Sequence, residues 1–242
     1  MPSRGTLGVS VLAGIALMLA FGSTERTKGT ETMNLLALIL ITLSTVVEAD
    51  DVSWKPLFNG RNLDGWEHVG PGAFVVENGM LKTQGGMGLL WYKGDMLSNV
   101  VMRVVYRNPA GVNSGVFIRI PEAPTEPWMP VNRGYEVQID DRGDDYHVTG
   151  VLYSLTRAAA KPMHPDEWNT MEITLDGDHT MVTVNGVLVT DYREGQPVPV
   201  KKETWEPDRG PRALAGYIGL QNHSDADVVY FREISVRPVS RK

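Results

Sequence analysis

From residue 74 onward, apolar and polar positions alternate in one short run after another. FVVENGMLKT (74–83) is two such runs around Asn78-Gly79. VVMRVVYR (100–107), SGVFIRI (114–120), YEVQI (135–139) and TGVLYS (149–154) follow. MEITLDGDHTMVTVNGVLVTDY (171–192) holds three runs, turning at Asp176-Gly177-Asp178 and at Asn185-Gly186. YIGLQNH (217–223) and VVYFREISV (228–236) close the chain. A period of two is the side-chain repeat of a β-strand. Asn-Gly between two strands favours a two-residue hairpin, because both residues tolerate positive φ. No stretch after residue 50 sustains a 3.6-residue period. About eleven or twelve short strands at hairpin spacing predict an all-β, antiparallel two-sheet sandwich.

Three of these strands carry polar groups on the face opposite their apolar residues. In YEVQI, Glu136, Gln138 and the following Asp140 oppose Tyr135, Val137 and Ile139. In SGVFIRI, Phe117 and Arg119 oppose Val116, Ile118 and Ile120; in YIGLQNH, Gly219, Gln221 and His223 oppose Ile218, Leu220 and Asn222. Side by side, these faces gather Arg119, Glu136, Gln138, Gln221 and His223 into one surface. Amide, carboxylate, guanidinium and imidazole groups suit the hydroxyls of a sugar. The competing reading is a solvated sheet face, which antiparallel sheets commonly show.

The first 49 residues stand apart. The apolar runs LGVSVLAGIALMLAF (7–21) and MNLLALILITLSTVV (33–47) are each shorter than the roughly 20 residues that span a bilayer. Each fits the apolar core of a secretory signal, and Val47-Glu48-Ala49 is an A-x-A-like cleavage site. The expectation is a targeting segment over 1–49, cleaved after Ala49, with export to the periplasm or beyond the cell. Translation starting at Met33, or an uncleaved anchor at 7–21, are the alternatives. Membrane contact follows only if the segment is kept. Residues 50–242 then form one domain without cysteine, which at about 190 residues can bury a sizeable core. A net charge of −6 argues against a nucleic-acid partner, which needs clustered Lys and Arg. Nothing implies a stable protein partner.

Longer irregular stretches lie at 121–133, 140–147, 155–168 and 193–214. Trp128 and Trp205 sit within them, either as stacking surfaces for a sugar or as anchors packed on the core. Trp66 and Trp168 read as core or edge anchors. His68, His147, His164 and His179 read as surface residues.

At these residues the chain resembles the 3-keto-disaccharide hydrolase domain family. WKPLFNGRNLDGWE (54–67) resembles the family's opening "LF-(D/N)-G-x-x-L-x-G-W", and NSGVFIR (113–119) and GYEVQIDD (134–141) its central strands. TGVLYSL (149–155), EWNTMEITLDGD (167–178), VNGVLVTDY (184–192) and GYIGLQNHSDADVVYFREISVRPV (216–239) continue in order. Many members read "QDHG" where this chain has Gln221-Asn222-His223-Ser224; Asn222 is expected on the core side or at an edge. The resemblance implies a concanavalin A-like jelly roll and cleavage of glycosides already oxidised at C3. A ketone at C3 acidifies the C2 proton, so a base can remove it and expel the group at C1, after which water adds back. In that chemistry His223 is the candidate base and Glu136 its partner, as acid or metal ligand. Arg119, Gln138, Asp140 and Gln221 are candidate substrate-binding residues. No cofactor is certain; a divalent metal ion held by Glu136 and His223 is an option. Two rival readings stay open: a non-catalytic carbohydrate-binding module, and a retaining glycosidase using Glu136 and Asp140, whose carboxyls would have to stand about 5–5.5 Å apart.

Overall fold

The computed structural model describes residues 53–240. The two apolar runs and the cleavage site after Ala49 lie outside the described residues. Thirteen strands and one short helix follow in the order β1 Lys55–Pro56, β2 Trp66–Val69, β3 Ala73–Glu77, β4 Met80–Gln84, β5 Gly88–Tyr92, β6 Val100–Arg107, β7 Ser114–Ile120, α1 Met129–Arg133, β8 Tyr135–Ile139, β9 Asn169–Asp176, β10 His179–Val184, β11 Val187–Arg193, β12 Tyr217–Asn222 and β13 Tyr230–Pro238. They form two antiparallel sheets. One runs β11-β10-β9-β6-β13-β4-β3, with β1 added on β13; the other runs β2-β5-β12-β7-β8. Both predicted Asn-Gly hairpins are present, with Asn78 and Gly79 at φ 52° and 79° and Asn185 and Gly186 at 50° and 78°.

The core lies between the sheets. Val116, Ile118, Val137, Ile139, Ile218 and Leu220 of the five-stranded sheet pack against Met102, Val104, Tyr106, Ile173, Val182 and Phe231 of the larger one. The five-stranded sheet is also covered on part of its outer face. There Leu89, Trp91, Phe117 and Ile120 meet Met129 and Val131 of α1. That double coverage hides β5 from a pattern reading: GLLWY is apolar at nearly every position, so no alternation shows.

TGVLYS does not form the strand its pattern predicts. It runs along the free edge of β8: Gly150 N–H donates to the Gln138 carbonyl at 2.9 Å and Tyr153 N–H to that of Glu136 at 2.9 Å. Tight turns interrupt it, Val151 N–H reaching the Val148 carbonyl at 3.3 Å and Leu155 N–H that of Leu152 at 2.8 Å. The segment therefore satisfies the edge strand's hydrogen-bonding groups without extending the sheet.

Arg119 corrects the simple alternation of β7. Tyr217 of β12 pairs with Ile120 and Gly219 with Phe117, so Ile118 and Arg119 together oppose the single residue Ile218. Arg119 sits at φ 55°. This is a β-bulge, and it changes which face each later side chain takes. Ile118 lies in the core, Ile120 emerges beside Phe117 on the outer face, and Arg119 turns inward, fully buried. Its guanidinium donates to the carbonyls of Gly177 at 2.8 Å, Leu214 at 3.1 Å and Ala213 at 3.2 Å, and to Thr180 Oγ1 at 3.2 Å. Arg119 therefore ties β7 to the start of β10 and to the loop before β12. Arg119→Met keeps the stem and strands those acceptors. We expect a loss of about 2–4 kcal/mol in urea unfolding; an unchanged midpoint would show the guanidinium to be dispensable.

Candidate functional site

In the five-stranded sheet, β12, β7 and β8 lie side by side, and their outer faces build the site. Phe117 pairs with Gly219 on one side and Glu136 on the other; Gly115 pairs with Gln138. Glu136, Gln138 and Gln221 thus project from the same face, beyond the end of the apolar patch that α1 covers. They line a cavity of about 230 Å³ together with Asn113, Trp128, Val131, Tyr153, Trp205 and His223. Of the six residues expected at the site, Glu136, Gln138, Gln221 and His223 come together here.

Arg119 and Asp140 do not join them. Arg119 is drawn into the sandwich by the bulge. Asp140 stands where β8 ends, and its carboxylate is taken by Arg142, Oδ1 accepting from the Arg142 amide at 2.8 Å and Oδ2 from the guanidinium at 2.8 Å. It lines a separate cavity with Lys161 and Met163.

The carboxyl of Glu136 owes its position to a glycine on the neighbouring strand. A Cβ at Gly115 would stand 2.6 Å from Glu136 Oε1 and 2.8 Å from its Cγ. Only the missing side chain lets the carboxyl lie across β7 towards Gln221. Among the described residues Glu136 has no cationic partner within ion-pair distance. Burial therefore pushes its pKa up to about 8, the Gln221 amide pulling the other way. At neutral pH it is mostly a neutral acid. The two amides differ in how they are fixed. Gln138 Oε1 accepts from the Ile139 amide at 3.1 Å, which leaves its NH₂ group as the free end. Gln221 Oε1 is buried without a hydrogen-bond partner.

His223 follows β12, and its Nδ1 lies 2.7 Å from Asp227 Oδ2. Asp227 is nearly buried, and its other oxygen accepts from the Asn113 amide at 2.9 Å. The Ser224 hydroxyl also donates to it. Burial alone would raise the pKa of Asp227, but these hydrogen bonds outweigh it and hold the group below the usual carboxylate range. Thr83 Oγ1 of β4 donates to the Asp227 carbonyl at 2.8 Å and accepts from the Val229 amide at 2.8 Å. The imidazole is thus oriented by an ionised carboxylate that is itself fixed. Asp227, Asn113 and Tyr153 are site residues that strand alternation does not reveal. The one available signal was the His-x-x-x-Asp spacing of HSDAD, in a loop where alternation carries no information.

Trp128 and Trp205 both reach the cavity, and Trp66 is buried with its Nε1 donating to the Leu57 carbonyl at 2.9 Å. Asn222 is buried and donates to the Gln84 carbonyl at 3.1 Å, on the core side as expected. His164 is exposed, and His147 and His179 pair with Asp144 and Asp191, each at 2.6 Å. His68 is half-buried. Its Nε2 is buried without a partner, and burial lowers its pKa. Among the described residues no group of three or more His, Cys, Asp or Glu side chains gathers to hold a metal ion. A divalent ion at Glu136 and His223 would draw its remaining ligands from amide oxygens and water.

Solved structures share this architecture. A candidate glycosyl hydrolase from Parabacteroides distasonis ATCC 8503 is 28% identical, with a TM-score of 0.63 over 77% of this chain and 99% of its own. A second from the same organism is 20% identical, with a TM-score of 0.63 over 77% and 94%. A Bacillus subtilis protein of unknown function with a galectin-like fold is 14% identical, with a TM-score of 0.52 over 79% and 97%. These likenesses confirm the jelly-roll sandwich. No curated protein matches the sequence. Residues 53–237 match the 3-keto-alpha-glucoside-1,2-lyase-like domain, and the chain belongs to that family.

Proposed function

We propose that this protein is an exported carbohydrate-active enzyme that cleaves glycosides carrying a ketone at C3. The observation that carries the reading is the pairing of two unlike titratable groups in one cavity. Glu136 is held neutral by burial, and His223 is held by an ionised Asp227. Elimination next to a ketone needs a base at C2 and an acid at the leaving oxygen. His223, with Nδ1 committed to Asp227, offers Nε2 as the base. It takes the C2 proton, and the C–H electrons pass into an enolate on the C3 oxygen. Collapse of the enolate restores the ketone, forms the C1–C2 double bond and breaks the bond from C1 to the leaving oxygen. That oxygen takes its proton from Glu136. Water then adds at C1, giving up one proton to the Glu136 carboxylate, and the proton held on His223 returns to C2. The free NH₂ of Gln138 is the donor we assign to the enolate oxygen, a role that buried Arg119 cannot fill.

Family membership and the 28% identical candidate glycosyl hydrolase support carbohydrate as the substrate class. The retaining-glycosidase reading loses its second carboxylate, because Asp140 is paired with Arg142 and faces another cavity. Export rests on the apolar run at 33–47 and on Val47-Glu48-Ala49.

Three measurements follow from this site. Glu136→Gln and His223→Ala should each lower kcat on a 3-keto-glucoside by about 10²–10⁴ with the fold intact; wild-type turnover in both would reject the assignment. If the Glu136 proton is the one donated, kcat/KM for the wild type falls as pH rises through about 8. Sugar binding with no turnover would instead mark a binding module.

Stability gives a check that needs no substrate. The folded-state pKa of Glu136 lies above its ordinary 4.5, so its burial is harmless below that pH. Between there and about 8, folding must hold a proton that the unfolded chain releases. Wild-type stability relative to Glu136→Gln should therefore fall by about 1.4 kcal/mol per pH unit across this window and level off above it. A pH-independent difference would show that the carboxyl is solvated. Export predicts a mature chain beginning at Asp50, which N-terminal sequencing reads; an intact segment at 7–30 on a cytosolic protein would refute it.

A further inference from the structure

Trp128 and Trp205 are 47% and 58% exposed at the mouth of the cavity. Both are followed at once by a residue the fold buries, Met129 and Glu206. Met129 and Val131 fasten α1 to the apolar patch on the sheet, and the Trp128 amide donates to the Glu126 carboxylate at 2.8 Å. Glu206 accepts from the Lys202 amide at 2.9 Å and from Arg209 at 2.8 Å, and Arg209 in turn donates to the Pro199 carbonyl at 2.8 Å. The backbone beneath each indole is therefore anchored while the ring itself stays in water. Large apolar groups held out beside a polar cavity mark a surface built for contact.

The cavity is too small for a whole glycoside. At about 230 Å³ it falls below the roughly 300–1,000 Å³ that enclose drug-sized ligands. The reacting ring has to present C2 to His223 and its C1 oxygen to Glu136, so that ring occupies the polar floor. Whatever hangs from the C1 oxygen leaves through the mouth, where the indoles stand. We propose that Trp128 and Trp205 form a subsite for the leaving group, and that this group is a ring with a flat apolar face, an aromatic aglycone or a second sugar, rather than a simple alkyl alcohol. The inference rests on the elimination reading for which part of the substrate lies outside.

The test compares 3-keto-glucosides with methyl, benzyl and glucosyl leaving groups. Methanol and benzyl alcohol are of similar acidity, and the greater acidity of the sugar hydroxyl is a constant that the alanine variants leave untouched. Only the part of a preference lost in them is therefore assigned to the indoles. Face contact with an aromatic ring corresponds to about 3- to 10-fold in affinity per indole. The wild type should prefer a ring-bearing substrate over the methyl one by about 10-fold or more in kcat/KM. Trp128→Ala and Trp205→Ala should each shrink that preference, while Trp128→Phe and Trp205→Phe keep most of it. Preference for benzyl alone assigns an aromatic aglycone; preference for glucosyl alone assigns a second sugar. Turnover without preference, or a preference untouched by the alanine variants, overturns the subsite and leaves the reaction standing. Titrating the unoxidised benzyl, disaccharide and methyl glucosides against tryptophan fluorescence needs no turnover. A ring-dependent change lost in the alanine variants supports the subsite even if no 3-keto-glycoside is cleaved, and its absence counts against it.

Discussion

One extra residue in β7 organises the functional half of this molecule. Without the bulge, Arg119 would point outward beside Phe117 and Ile120 would stay in the core. With it, the guanidinium crosses into the sandwich and satisfies a row of carbonyls that no other described side chain reaches. The outer face of the five-stranded sheet is thereby divided. One end becomes apolar and accepts α1; the other stays polar and open. Trp128 stands at the boundary because α1 begins there. The cavity exists where these two regions meet, and a regular β7 would not have produced that boundary.

The second constraint is a missing side chain. In a sheet, a polar residue between two neighbours normally stands upright towards solvent. Gly115 removes the middle obstacle, so the Glu136 carboxyl can lie down across the sheet and lose its water. The raised proton affinity is a direct result of that posture. Acid character at neutral pH thus traces to a glycine on a different strand, 21 positions earlier in the chain.

Much of this was legible beforehand, and the misses have identifiable causes. Alternation located β3, β4 and β6 to β13 and placed Glu136, Gln138 and Gln221 on one face, because period two is obligatory wherever one side is buried. It failed at Arg119, since a bulge leaves no trace in apolar periodicity. It failed at Asp140, whose strand had already ended and whose charge was claimed locally by Arg142. TGVLYS has the composition of a strand, but a positive φ at Gly150 and the turns around it decide otherwise. Asp227 belongs to a loop, where its position is set by a tertiary hydrogen bond from the Asn113 backbone amide that alternation does not encode, beside the local one from Ser224.

The hydrogen bond from Thr83 to Asp227 carries a mechanical consequence. Thr83 belongs to β4 in the larger sheet, whereas Glu136 rides on β8 in the smaller one. The base and the acid themselves share one wall, because His223 follows β12, two strands from β8. Only Asp227, the carboxylate that aims the base, is pinned to the opposite wall. The aim of the imidazole, but not the seat of the acid, therefore depends on how tightly the two walls are pressed together. A methyl group removed from the core beneath Thr83 would act on the reaction as a loosened steering rod, tilting one group while its partner stays in place.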